Sequence, residues 1–191
     1  MTTCRKIIVL SSTVALMMAL TVSNQTHEQE PVVDRIARYI GSENDDVDPE
    51  RLEGIARSVL EESKRHGIDY RLVLAVMKVE SNFRHTVVSS RGARGLLQVK
   101  PSLAKHIAED AGVEWRGAKT LDDPNKNVKI GVHFLANLID DFEHLHLALQ
   151  AYNVGPTRLK QILTQKNNPR SGFARSVFAE YEIICSVLPA A

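Results

Sequence analysis

Helical periodicity, interrupted at short intervals by capping residues, is what most restricts the folds open to this chain. In residues 50–67 apolar side chains recur every three or four positions (Leu52, Ile55, Ala56, Val59 and Leu60), and Gly67 suits the left-handed position that closes a helix. The next segment, 69–81, starts at Asp69, an N-cap residue type, and carries a dense apolar run. Pro101 at a first helical position opens a helix read as far as Gly112. After a loop through Trp115 and Gly117, Asp123 and Pro124 open another that runs to about Phe142. Residues 146–155 are short and apolar, Pro156 starts a helix to about Thr164, and 172–188 read as a terminal helix. A short amphipathic helix covers 32–40, and the acidic, turn-rich 41–49 links it to the rest. Period-two alternation is missing throughout, as is any internal repeat. The class is therefore mainly α, a single domain with small irregular segments around 84–100. With 191 residues the chain is long enough to build its own core.

The first thirty residues have a different character. Arg5 and Lys6 precede the apolar run 7–22, a polar stretch follows, and no acid occurs before Glu28. This order reads as a secretory signal peptide, and the run is shorter than the roughly 20 residues of a comfortable membrane span. Cleavage after Thr21 or Ser23 and retention as an uncleaved anchor are both open. Removing 1–23 takes away two bases and no acids, moving the net charge from +1 to −1. Neither value provides the basic footprint of a nucleic-acid binder. Cys4 lies in the signal, which leaves Cys185 alone in the mature chain, with no internal disulfide and a place in the core. The expected organisation is thus a signal at 1–23, an extension with a short helix at 24–49 and the main domain at 50–188.

The stretch 79–101 is neither ordinary core nor ordinary loop. On helix 69–81, Val73, Met77 and Glu80 share one face, so Glu80 continues a partly apolar stripe. A carboxyl group held away from water has its ionised form disfavoured and its pKa raised, as a general acid requires. The plainer alternative is an exposed Glu80 paired with Arg84 one turn on. Gly92 and Gly95 then permit backbone conformations closed to other residues, and would let the backbone approach a ligand. Ser89 and Ser90 offer hydroxyls, and Gln98 offers an amide that both donates and accepts. Farther on, Asn127, Gly131 and Leu135 fall at i, i+4 and i+8, with Gly131 expected to let two helices pack closely. "AYNVGP" (151–156) closes an apolar helix.

In order and spacing, "ES-x-F" at Glu80, Ser89 nine residues on, "GARGLLQ", Asn127/Gly131/Leu135 and "AYNVGP" resemble the motif series of the soluble-lytic-transglycosylase (SLT) domain family, over roughly residues 69–185. The resemblance implies a goose-type-lysozyme-like α fold and an enzyme that cleaves peptidoglycan between N-acetylmuramic acid and N-acetylglucosamine, leaving a 1,6-anhydro ring. It maps the family's lone catalytic carboxylate to Glu80. Its substrate-holding residues map to Ser89, Gln98, Tyr152 and Asn153. No metal or cofactor is implied, the partner is the glycan strand, and the expected compartment is the periplasm for a monomeric protein. Small relatives often open the wall for secretion or conjugation machinery, so such a partner is compatible with the reading.

Three positions depart from the family's usual pattern: Lys100 before Pro101, Leu97 for a common Met, and Phe173 where Tyr is frequent. Two rival readings remain at this level. A hydrolytic muramidase on the same fold would need a second acid, for which Asp122 or Asp123 is available. A non-catalytic glycan-binding component of an envelope machine would need none. His144 and His146 near Asp140, Asp141 and Glu143 match no zinc spacing. Trp115 and Tyr70 read as core or loop anchors rather than sugar platforms.

Overall fold

The computed structural model describes residues 30–44, 47–165 and 172–191; the expected signal segment lies outside them. Its helices are α1 (Val32–Glu43), α2 (Pro49–His66), α3 (Tyr70–Ser81), α4 (Pro101–Ile107), a 3-10 turn at Ala118–Asp122, α5 (Pro124–Asp141), α6 (Leu145–Val154), α7 (Pro156–Thr164) and α8 (Gly172–Val187). No strand occurs among the described residues. Isolated antiparallel bridges join Val88 to Arg94 and Arg94 to Val99.

The caps explain most of the boundaries. Asp48, Asp69 and Asp123 each accept a backbone N–H at the start of α2, α3 and α5, and Pro49 and Pro124 occupy the first turn where a missing N–H costs nothing. Gly67 closes α2 at φ +64°. Two boundaries differ from the sequence reading. Helix α1 runs on through Gly41 to Glu43, because Gly41 lies against Leu52 of α2 and its lack of a side chain admits that contact. Helix α4 stops at Ile107 rather than Gly112. The chain there changes to turns, with Gly112 N–H bonded to the Glu109 carbonyl and Val113 N–H to the Ala108 carbonyl.

Residues Pro31–Ala191 form one compact unit. Helix α3 is its centre: Leu72 to Met77 are all buried. It packs against α8 and α2, while α2 also packs against α5 and α1, and α6 lies between α5, α7 and α8. Ile36 and Ile40 of α1 are fully buried in the same core. Tyr70 is core as well, its hydroxyl donating to the Pro189 carbonyl and so tying the C-terminus to the start of α3. Cys185 is half-buried and free, less enclosed than its apolar run implied.

Candidate active site

Glu80 lies in the last turn of α3 and lines a cleft of about 350 Å³. It is half-buried, and no ion pair or hydrogen bond to its carboxylate is found among the described residues. Arg84 is not its partner: that side chain is exposed and donates to the Ser81 carbonyl at 3.2 Å. Burial raises the Glu80 pKa from its ordinary 4.5 to about 7. A carboxylate at a helix C-terminus also faces the negative end of the macrodipole, which disfavours its charge further.

The chain leaves α3 abruptly. Asn82 and Phe83 both adopt left-handed conformations, at φ 51° and 58°. Asn tolerates this, but for Phe it costs about 1–2 kcal/mol. Burial holds Phe83 there. Its ring meets Tyr39 edge-on at 5.9 Å, the Lys78 ammonium lies 5.8 Å from its centroid, and its carbonyl accepts from Asn44 Nδ2 at 3.1 Å. Lys78 is in turn ion-paired with Glu43. Helix α1 therefore braces the turn directly beyond Glu80.

Side-chain to backbone bonds hold the irregular segment 84–100 against the helices. Ser81 Oγ donates to the Leu96 carbonyl at 2.8 Å. Asn127, fully buried on α5, accepts from Leu97 N–H at 2.9 Å and donates to the carbonyls of Arg94 and Leu121 at 2.8 and 3.1 Å. Gln98, itself left-handed at φ 46°, donates to the carbonyls of Gly95 and Val87. Ser89 Oγ accepts from Ala93 N–H at 3.0 Å.

Two glycine assignments need correcting. Gly95 does not bring backbone up to a ligand. It is buried at φ +76°, where a Cβ would overlap the Asn127 amide and the Leu121 carbonyl oxygen. Gly131 does not bring two helices together either: a Cβ there would lie 2.5 Å from Leu97 Cδ1, so the position makes room for a loop side chain.

The second wall comes from α6 and its exit. Tyr152 is buried, its ring 5.2 Å from Phe134 and 6.4 Å from Phe173, and its hydroxyl donates to the Leu97 carbonyl at 2.7 Å. That bond joins the two walls. Burial, and then the Glu80 charge, hold the Tyr152 hydroxyl well above its ordinary pKa. Asn153 is exposed at the rim. Glu80, Ser89, Gln98, Tyr152 and Asn153 thus all line one cleft. Among the described residues lining it, Glu80 is the sole carboxylate.

The family model of the transglycosylase SLT domain matches residues 57–171. The chain belongs to that family. It is similar to the soluble lytic murein transglycosylase of Salmonella typhimurium, with 32% identity over 49% of this chain and 15% of the relative. It is also similar to the membrane-bound lytic murein transglycosylase C of Mannheimia succiniciproducens, with 31% identity over 63% of this chain and 32% of the relative. Among solved structures, the 70 kDa soluble lytic transglycosylase of Escherichia coli superposes with a TM-score of 0.63 at 20% identity, over 83% of this chain and 31% of that one. An inactive mutant of the lytic transglycosylase Slt from Pseudomonas aeruginosa gives 0.61 at 24% identity, over 68% and 24%. These likenesses establish the fold. The chain spans about a third or less of the length of these relatives.

Within this SLT domain the residues that hold the cleft open were harder to find than those that line it. Ser81 and Asn127 stood in the quoted motifs without a role; the one available signal was a polar side chain on an otherwise apolar helix face, as at Asn127 in line with Gly131 and Leu135. Phe134, which backs Tyr152, carried no signal beyond its periodicity. Asp122 and Asp123 lie outside the Glu80 cleft, in a separate surface depression. Asp122 is held by Arg94 through two bonds of 2.8 and 2.9 Å, and Asp123 caps α5. Trp115 is half-buried against the core, away from the cleft lining.

Proposed function

We propose that the protein is a peptidoglycan lytic transglycosylase that cleaves the β-1,4 bond between N-acetylmuramic acid and N-acetylglucosamine without consuming water. The observation that carries this reading is a single carboxylate, with its pKa raised to about 7, in a cleft whose described lining offers no second acid. Protonated Glu80 donates to the glycosidic oxygen, and the C1–O bond breaks. The muramoyl N-acetyl group supports C1 in place of a protein nucleophile. Glu80, now ionised, takes the proton of the muramoyl 6-hydroxyl as that oxygen bonds to C1 and closes the 1,6-anhydro ring. Glu80 ends protonated, as it began, and the atoms of the substrate are conserved.

The supporting roles follow from which polar groups remain available. Ser89 Oγ accepts from the loop, so its proton is free to donate to an N-acetyl carbonyl. Asn153 offers its amide at the rim. Gln98 and Tyr152 already use their donors on the backbone, so Gln98 acts mainly by fixing the loop's own shape and Tyr152 by fixing the loop against α6. The hydrolytic alternative is weakened because Asp122 is bound to Arg94 and Asp123 to the α5 N-terminus. The proposed setting is the periplasm, reached through the segment 1–23, with peptidoglycan strands as the partner. Mass analysis of muropeptides released from purified sacculi tests the chemistry. Anhydro ends are expected; reducing ends would replace this reading with hydrolysis, and no release by folded protein would favour a binding component.

A further inference from the structure

Beyond Asn153 the Glu80 cleft does not end. It shares Arg91, Lys100, Asn153 and Val154 with a second depression of about 590 Å³ that also takes in Arg158 and is bounded by Phe173. Three cations among the described residues therefore line this extension, and they arrive from separate parts of the chain: Arg91 from the irregular loop, Lys100 from the residue before α4, and Arg158 from the first turn of α7. All three are exposed. None has a carboxylate within ion-pair distance among the described residues, whereas Arg94, Arg71 and Lys78 each have one. Among the described residues no acid lines the extension.

Three like charges held around one concave surface repel each other and raise the local concentration of anions. A neutral sugar chain supplies no charge to offset them. Carboxylates do, and the strand proposed above carries them on the short acidic peptides attached to its muramoyl lactyl groups. We propose that Arg91, Lys100 and Arg158 form a peptide-stem subsite, reading carboxylates on a stem next to the scissile bond. The proposal rests on the transglycosylase reading of Glu80 and names the part of the substrate that reading leaves unassigned. The site would favour stem-bearing strands over stripped ones mainly through binding, since its contacts are to the stem and not to the reacting carbon.

The test uses the purified chain and two preparations of the same glycan, one with intact stems and one stripped by an amidase. For the double substitution Lys100→Gln, Arg158→Gln, the ratio of kcat/KM on intact over stripped strands should fall roughly three- to thirty-fold, the scale of two solvent-facing charge contacts. The change should appear in KM, and wild type should lose the same preference as salt is raised toward about 1 M, where the screening length is roughly 3 Å. Circular dichroism of the variant should be unchanged. An unaltered ratio, or equal losses on both strands, would overturn the subsite. If folded wild type cleaves neither preparation, the transglycosylase reading fails instead. Titration of the isolated acidic stem peptide then decides the subsite by itself: binding weakened by the double substitution upholds it, and no binding or unchanged binding rejects it.

Discussion

Helix α3 carries one carboxylate at each end, and the protein treats the two in opposite ways. Asp69, at the N-cap, accepts from Arg71 N–H at 2.9 Å, from the Arg71 guanidinium and from the Tyr181 hydroxyl at 2.8 Å. Burial pushes its pKa up, but those hydrogen bonds outweigh burial and hold it below the ordinary 3.8. Glu80, in the last turn, meets burial without any such bond, and its pKa rises to about 7. One end is built to keep a charge and the other to shed one. The difference teaches that the acid in the cleft is defined by which donors were left out of its surroundings. Ser81, Gln98 and Asn127 all stand close in the fold, and each directs its donors to backbone carbonyls instead.

The largest expected effect comes from Glu80→Gln. It keeps the shape and removes the proton, so lysis of sacculi should fall about 10²–10⁴-fold with unchanged helix content. A loss under about tenfold would remove Glu80 from its role and end the contrast with Asp69.

pH separates the two ends next. Glu80 must hold its proton to act, so activity should fall through about pH 7, approaching about tenfold per unit well above it. Stability should carry two opposite signatures. Between about pH 4.5 and 7 the folded chain holds a proton on Glu80 that the unfolded chain has lost, so this group's contribution to stability declines as pH rises through that window. Asp69 stabilises the fold above 3.8 and loses that contribution as pH falls through its lower folded value. Urea midpoints measured across pH for wild type and Glu80→Gln check this: the variant should lack the decline between pH 4.5 and 7.

Asn127→Ala probes how the Glu80 end is kept in place. It leaves the Leu121 carbonyl and the Leu97 N–H without their partner, takes one of two donors from the Arg94 carbonyl, and should cost about 2–4 kcal/mol in urea unfolding. Preserved stability would mean that the loop is held some other way.

Asp69→Ala removes a cap, for about 1 kcal/mol, while activity per folded molecule stays as in wild type. An activity loss larger than the stability loss would mean that the two ends are not separate.

The smallest effect is expected from Tyr152→Phe. It removes the bond to the Leu97 carbonyl, for about 0.5–1.5 kcal/mol, and turnover should fall as the two walls loosen. A crystal structure of the variant with Leu97 unmoved, together with unchanged turnover, would show that the ring alone suffices.

Much of this was legible in the chain. The helices α2, α3, α5, α7 and α8 follow from periodicity, and the starts of α2, α3, α5 and α7 from Asp and Pro at fixed offsets, because those signals are local. The cleft residues were legible for a different reason: four motifs stood in the order and spacing of a family, a pattern that carries long-range information no single segment holds. What stayed hidden was the use each residue makes of its bonding groups. Gln98 and Tyr152 were expected to hold the sugar chain or orient the acid, and that both give their donors to the backbone was not legible in the sequence. Gly95 and Gly131 were expected to serve a ligand and a helix pair, yet both make room for loop anchors.

By itself, then, the sequence determined a mainly helical domain, the helix whose last turn carries Glu80, and the set of polar residues belonging with it. The tertiary structure alone decided that, among the described residues, none donates to the Glu80 carboxylate, that Asp122 is held by Arg94 away from the cleft, and that three cations from distant segments share one extension of the groove. The physical reason is range. Caps and periodic faces are fixed by neighbours within a turn or two, whereas desolvation and charge pairing depend on atoms brought together from across the chain. A carboxylate's pKa is the sum of such contacts, so two carboxylates at the ends of one helix could diverge, Asp69 held as an anion and Glu80 disposed to keep its proton.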